Sequence, residues 1–362
     1  MKNSSCNDLE ILLRSGYECS LYTACAARIV YKNSILFWNT YGVLDPRTPD
    51  QKVSRETLFD LASLTKTFVA TLFMHIVELG SVDIDSPVCE VLEDLKGDAN
   101  REKITFRHLL SHTSGLPASF NLYENQEWNK GKKVVVKKLL ATDLINEPGQ
   151  KVVYSCLGFM MLGICIEIIT GESLDENVKK FFSAWLSHEK LLYKPQGKTN
   201  NIAITTFSRP NRGELIAGVV HDGNAIALDE GISGNAGLFG TVDAVSKLGE
   251  LYLTKSVLSP LTIKRMTSLE KESDGDRWGL GWKLHTHKQN NPGRILSNSA
   301  YGHTGFTGTS LWIDPEKDLV LTLLTNSVHY YNDKMDASKF NQFRYNFHKA
   351  AIELLCKIHD NP

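Results

Sequence analysis

The chain has no cysteine pair at metal-ligand spacing, no apolar run long enough to cross a membrane and no surplus of either charge. Its seven cysteines, at positions 6, 19, 25, 89, 156, 165 and 356, form an odd set without a CxxC. That pattern suits a reducing compartment better than a disulfide scaffold. Nothing approaches the ~18 consecutive apolar residues of a spanning helix. The most apolar stretch, residues 157–169, has core-helix length and contains Gly158, Gly163 and Glu167. Residues 1–16 carry one lysine before Asn3 and lack the apolar core of a secretory signal. The expected location is therefore cytoplasmic, or periplasmic had a signal been removed. Lys plus Arg number 40 against 41 Asp plus Glu, so no global field draws nucleic acid or an anionic membrane. Neither is an expected partner; small neutral or mixed-charge molecules are. Internal repeats and low-complexity tracts are also missing.

What is present is ordinary globular composition, with 42% hydrophobic and 22% charged residues. At 362 residues the chain exceeds the size at which one core stops growing, so two lobes are expected. Residues 8–14 read as a short helix, and β-forming runs at 21–31 and 34–41 flank Lys32-Asn33 as a hairpin. Residues 301–307, 309–313 and 319–325 repeat the strand pattern, with Asp314, Pro315 and Asp318 at a turn. Phe340, Phe343, Phe347, Ala351 and Leu354 recur at helical spacing within residues 337–359, an amphipathic helix able to cover a sheet. Residues 65–255 show helical periodicity broken by Gly and Pro. The expected fold is α+β: an antiparallel sheet of about five strands flanked by terminal helices, plus a mostly helical lobe with the active cleft between them. The sheet lobe takes residues 1–64 and 256–362, and the helical lobe residues 65–255. Lys130, Lys132, Lys133, Lys137 and Lys138 read as the wet face of an amphipathic helix.

Chemistry begins in residues 59–68, FDLASLTKTF, where Leu64, Phe68, Leu72 and Ile76 recur every four residues. Ser63 stands at the start of that helix, and Lys66, three residues on, shares its face. A serine hydroxyl attacks only when a neighbour takes its proton, and a lysine desolvated in a cleft can have its pKa lowered enough to do so. His108 and His112 stand four apart on a helix, but no glutamate or third ligand accompanies them. His285 and His287 alternate on a strand and read as an exposed polar face. No metal and no cofactor are expected.

Further stretches follow in order: ITFRHLLSHTSGLP at 104–117, Glu147-Pro148-Gly149, Tyr154-Ser155-Cys156, Trp278-Gly279-Leu280-Gly281-Trp282 and His303-Thr304-Gly305. Together with residues 59–66 they resemble the class C β-lactamase and penicillin-binding-protein family, in its esterase and D-aminopeptidase group, over nearly the whole chain. The resemblance implies a serine hydrolase acting on small ester, amide or β-lactam-like substrates through an acyl-enzyme at Ser63, with weak β-lactamase activity as an accompaniment. It gives Lys66 and Tyr154 the proton handling, and Ser63 and Phe306 N–H the oxyanion hole. Cys156, His303, Thr304, Gly305 and Phe306 become substrate-binding positions. Two of them depart from the family pattern. Cys156 replaces an asparagine, whose two-ended hydrogen bonding a thiol does not supply. His303 replaces a lysine, so anchoring of a substrate carboxylate is expected to weaken. Arg212 and the His221-Asp222-Gly223-Asn224 cluster resemble a motif of some family hydrolases and are expected at the cleft, as wall support before substrate contact. The alternatives are an acyltransferase using the same residues, and a penicillin-binding or sensor protein that does not turn over. Oligomeric state stays open.

Overall fold

The computed structural model describes residues 2–120, 122, 131–187, 190–205, 217–289, 291–330 and 336–360. In chain order it contains α1 (Lys2–Glu18), β1 (Ala24–Tyr31), β2 (Ser34–Gly42), β3 (Phe59–Asp60), α2 (Thr65–Glu78), α3 (Phe106–Leu110), α4 (Lys132–Leu140), α5 (Cys156–Thr170), α6 (Leu174–Phe182) and β4 (Leu191–Tyr193). There follow α7 (Gly223–Asp229), β5 (Leu238–Gly240), α8 (Val242–Leu253), α9 (Pro260–Met266), β6 (Lys271–Ser273), β7 (Asp276–Trp278), β8 (Lys283–Leu284), β9 (Tyr301–Thr304), β10 (Ser310–Asp314), β11 (Leu319–Thr325) and α10 (Ala337–Asp360).

Strands from the two chain ends form one antiparallel sheet of eight strands, ordered β2-β1-β11-β10-β9-β8-β7-β6, while β3-β5-β4 form a small second sheet. The strands anticipated from the sequence make up the contiguous block from β2 to β9. β6, β7 and β8 extend it with two or three residues each, too few to leave an alternating signature. Lys32 (φ 49°) and Asn33 (φ 58°) turn β1 into β2 with two left-handed residues, the hairpin form that matches strand twist.

Burial explains why the central strands read as unbroken apolar runs. On β1 and β11, Ala24, Ala26, Val30, Val320 and Leu324 face the large core shared with α2, α5 and α8. Cys25, Ala27, Ile29, Leu319, Leu321 and Leu323 face a second core under α1 and α10, where Phe340, Phe343, Phe347, Ala351 and Leu354 pack. Both faces are covered, so apolar side chains prevail on each; Arg28 of β1, paired with Glu250, and Thr322 opposite it on β11 are buried exceptions. α5 is apolar all round and buried from Leu157 to Ile166. α4 turns Val135, Leu139 and Leu140 inward, and Lys132 pairs with Glu167 (2.9 Å) and Asp229 (2.8 Å). Lys130 lies outside the described residues.

Four local expectations change. α1 extends beyond residues 8–14 on both sides, because its flanking turns are polar and carry no periodic signal. α3 stops at Leu110 and His112 has φ 58°, so His108 and His112 share no helical face. His285 is 4% exposed and not on an open polar face: β8 ends at Leu284, but the chain continues beside Ala300, whose carbonyl accepts the His285 N–H (2.9 Å). Residues 238–240, within the stretch expected to be mostly helical, form β5 and pair with β3 and β4.

Candidate active site

β3 delivers Ser63 into a single tight turn, Ala62–Leu64, that runs directly into α2. The turn is held from two sides. The buried Asp60 carboxylate accepts N–H bonds from Ala62 (2.9 Å) and His221 (2.7 Å). Beyond β9, Thr307 Oγ1 donates to Asp60 O (2.7 Å) and Thr309 Oγ1 to Leu61 O (3.0 Å). Position 305 must be glycine for this approach, since a Cβ would stand 2.0 Å from Thr309 Oγ1 and 2.7 Å from Leu61 O. These bonds keep Ala62 at φ 45°, a left-handed conformation that costs a non-glycine residue about 1 kcal/mol. Burial raises the Asp60 carboxyl, and its two N–H bonds limit the rise to about 6.

Lys66 is completely buried on α2. Its Nζ lies 3.0 Å from Ser63 Oγ, 2.9 Å from Asn235 O and 3.5 Å from Cys156 Sγ. It also stands 5.0 Å from the centre of the Tyr154 ring, whose phenol interacts with both Lys66 and Ser63. The sequence predicts a lysine with lowered pKa; the site produces the reverse. Burial pulls the ammonium down, but Cys156 and Tyr154 at contact, with Asp222 behind them, outweigh it and hold Lys66 at about 12. Burial likewise raises Tyr154, against the opposing pull of Lys66. The contacts accommodate both forms of the lysine. An ammonium has three donors for three acceptors; a neutral amine keeps Asn235 and Cys156 as acceptors and turns its lone pair to the Ser63 hydroxyl.

Tyr154 is wedged in an aromatic frame. Trp278 stacks on it at 5.5 Å, His112 packs at 4.6 Å and His303 at 5.8 Å. His112, singled out in the sequence only for its spacing from His108, accepts the Ser155 N–H at Nδ1 (3.1 Å) and so fixes the backbone between Tyr154 and Cys156. His303 Nδ1 lies 2.8 Å from Thr304 O; a carbonyl only accepts, so Nδ1 carries the proton and Nε2 is left as a lone pair. Burial, reinforced by the Lys66 charge, depresses His303 to about 3, so it is neutral at pH 7.

The 221–224 cluster lies behind Lys66. His221 stacks on Phe306 at 5.4 Å. Asp222 caps α7 by accepting the Ala225 N–H at Oδ1 (2.8 Å), and its Oδ2 accepts from Asn235 Nδ2 (3.2 Å). Asn224 Oδ1 accepts the Leu122 N–H (2.9 Å) and its Nδ2 donates to Phe120 O (2.8 Å), which ties down that loop. Arg212 lies outside the described residues.

In front of Ser63 opens a cavity of about 390 Å³ bordered by Ser63, Tyr154, Trp278, His303, Thr304, Gly305, Phe306 and Arg344. Phe306 stands at its mouth, 53% exposed. Sequence reading missed Arg344. Its Nη2 bonds Asn341 Oδ1 (2.8 Å), its Nη1 reaches the carbonyls of Gly305 and Thr309, the guanidinium lies over the Phe340 ring at 5.7 Å, and no ion pair joins it to a carboxylate among the described residues. Burial pulls its guanidinium down to about 10, with no opposing anion. Asn235 was missed too, because its part is played by a backbone carbonyl that no side-chain pattern announces.

Comparison with known proteins places the chain in a family. The profile of the Beta-lactamase family matches residues 22–342. The N-acetylmuramyl-L-alanine amidase of Bacillus subtilis (strain 168) is 30% identical over 331 residues, 83% of this chain and 75% of that protein. A putative D-alanyl-D-alanine carboxypeptidase of Escherichia coli (strain K12) is 29% identical over 310 residues, 77% of this chain and 71% of that one. Among solved structures, EstCE1, a hydrolase with promiscuous acyltransferase activity, superposes with a TM-score of 0.79 at 20% identity over 96% of this chain and 99% of its own. A class C β-lactamase gives 0.75 at 17% identity, over 96% and 97%. The chain therefore belongs to the Beta-lactamase family, within the superfamily of serine β-lactamases and penicillin-binding proteins.

Proposed function

We propose that this protein hydrolyses ester or amide bonds of small, carboxylate-bearing substrates through an acyl-enzyme at Ser63. The observation that carries the reading is Ser63 Oγ at 3.0 Å from Lys66 Nζ on the wall of the cavity, with Tyr154 in reach of both. Ser63 Oγ attacks the carbonyl carbon and its proton passes to the Lys66–Tyr154 pair. The pair returns the proton to the departing alcohol or amine as the C–O or C–N bond breaks. Water then repeats the sequence on the acyl-enzyme and restores Ser63. Backbone N–H groups of Ser63 and Phe306, both at the cavity edge, are the proposed donors to the oxyanion. Neutral His303 offers a substrate carboxylate no charge, whereas Arg344 brings to the cavity a guanidinium without an ion-pair partner among the described residues; the carboxylate is assigned to Arg344. The names of the amidase and carboxypeptidase relatives favour amide bonds of alanine-containing peptides as the natural class.

The test is p-nitrophenyl butyrate turnover by the wild type and Ser63→Ala, with intact mass measured on the same samples. Steady hydrolysis in the wild type and its loss in the variant are expected. A stable adduct without turnover would favour the non-turnover binding protein, and equal rates in both would remove Ser63 from the chemistry.

A further inference from the structure

The Asp222 side chain has more capacity than its helix cap requires. One oxygen, Oδ1, caps α7 through Ala225 N–H (2.8 Å), a task that serine or asparagine performs equally well. The second, Oδ2, accepts from Asn235 Nδ2 (3.2 Å). The far end of the same amide is also fixed, since Ser233 Oγ donates to Asn235 Oδ1 (2.7 Å) and Tyr193 OH holds Ser233 O (2.8 Å). The chain just before Asn235 presses on α5 so closely that a Cβ at Gly234 would stand 2.0 Å from Phe159 O. An amide held at both ends on a segment without slack anchors the backbone of its own residue, and the carbonyl of that residue is the one that receives Lys66 Nζ at 2.9 Å.

We propose that Asp222 is a positioning residue that acts on Lys66 through Asn235, by fixing the carbonyl that aims the amine at Ser63. Its charge also favours the protonated amine. The inference rests on the reading of Ser63 as the acylated residue. The other groups facing Lys66 are Tyr154 and Cys156 at the start of α5, His112 after α3 and His303 on β9. The two histidines are kept uncharged chiefly by burial, which leaves Asp222 as the carboxylate whose field reaches the lysine.

Asp222→Asn isolates the charge. Its oxygen still caps α7, and Asn235 can flip to accept from the new amide while Ser233 accepts in turn, so the bonds can be rewired without a carboxylate. The measurement is the pH dependence of pre-steady-state Ser63 acylation by p-nitrophenyl butyrate in the full-length wild type and variant, with thermal melting of the same samples. Acylation rises with pH as the Lys66–Tyr154 pair releases its proton. In the variant this rise is expected about half a pH unit lower, with the alkaline plateau and the concentration dependence both within twofold. A rise at the wild-type pH, whatever the melting temperature does, overturns the proposal. Should Asp222→Asn not fold, Asn235→Ala cuts the same link while leaving the cap: a plateau about tenfold lower supports the proposal, and an unchanged one overturns it. A wild type that is never acylated defeats the reading of Ser63 and this inference together, whereas a wild type that acylates beside an unaltered variant defeats the inference alone.

Discussion

His348, completely buried on α10 with Nε2 bonded to Ser310 Oγ (2.8 Å), makes the fold sensitive to acid. Burial, reinforced by the neighbouring Arg344 charge, depresses the imidazole to about 3 from an ordinary 6.5. The native state therefore refuses a proton that the unfolded chain accepts. Above pH 6.5 both states are neutral and nothing is lost; below it stability falls, and the loss continues down to the folded value near 3. The slope approaches about 1.4 kcal/mol per pH unit, so that moving from pH 7 to 5 costs about 2 kcal/mol for this residue, and His303 adds a similar amount. Asp60 acts in the opposite direction. Its carboxyl, raised to about 6, contributes stability below its unfolded value that is lost as pH rises through 6, so acidification restores about 1 kcal/mol. A bare pH titration of stability mixes these contributions. The informative perturbation is His348→Gln, whose amide can reach Ser310 and does not titrate. Urea unfolding at pH 7, 6 and 5 in both proteins isolates one proton: the variant is expected to lose about 2 kcal/mol less than the wild type between pH 7 and 5. Parallel losses would show that native His348 already carries its proton at pH 5, and the argument from burial would fail.

Two further outcomes follow from the charges at the cavity. Steady-state kcat/KM for an uncharged p-nitrophenyl ester is expected to climb from pH 7 into the alkaline range with no acidic limb from His303, because Lys66 and Tyr154 are both raised while His303 stays neutral; a bell centred near pH 6.5 would contradict this. Arg344→Gln is expected to raise KM about tenfold for esters bearing a carboxylate, and to leave p-nitrophenyl butyrate within twofold. Equal effects on both substrates would take Arg344 out of carboxylate recognition.

How much of this was legible in the sequence depended on distance along the chain. Ser63 and Lys66 meet because three residues of helix place them on one face, which spacing alone reveals. Tyr154 reaches the same point from a separate segment, and only the resemblance of its motif brought it there. His112 was misjudged for a local reason. Its spacing from His108 suits a helix, but the turn-forming Thr113-Ser114-Gly115 that follows marks where the helix fails, and His112 is left-handed. Arg344 sits among polar residues of an amphipathic helix, where an arginine that lines a cavity and one that lies in water have the same signature. The short strands β6, β7 and β8 owe their existence to pairing with neighbours already in the sheet, a tertiary cause that no window of two or three residues contains.

The two departures from the family pattern belong to a single electrostatic arrangement. A lysine in place of His303 would set a second ammonium in a region whose charges already act on one another, since the Lys66 charge adds to burial in depressing the imidazole there. Repulsion between two such cations would lower the proton affinity of Lys66. With a neutral imidazole instead, that repulsion vanishes. At Cys156 an asparagine would offer Lys66 a firm carbonyl acceptor and a donor for substrate; sulfur at 3.5 Å is a weak acceptor and supplies no amide donor. Cys156 nonetheless acts with Tyr154 to favour the charged lysine. The exchange at His303 therefore leaves Lys66 as the cation at the floor of the site and increases its hold on the proton. The alkaline dependence expected of acylation and the carboxylate recognition proposed for Arg344 both follow from the loss of one positive charge on β9.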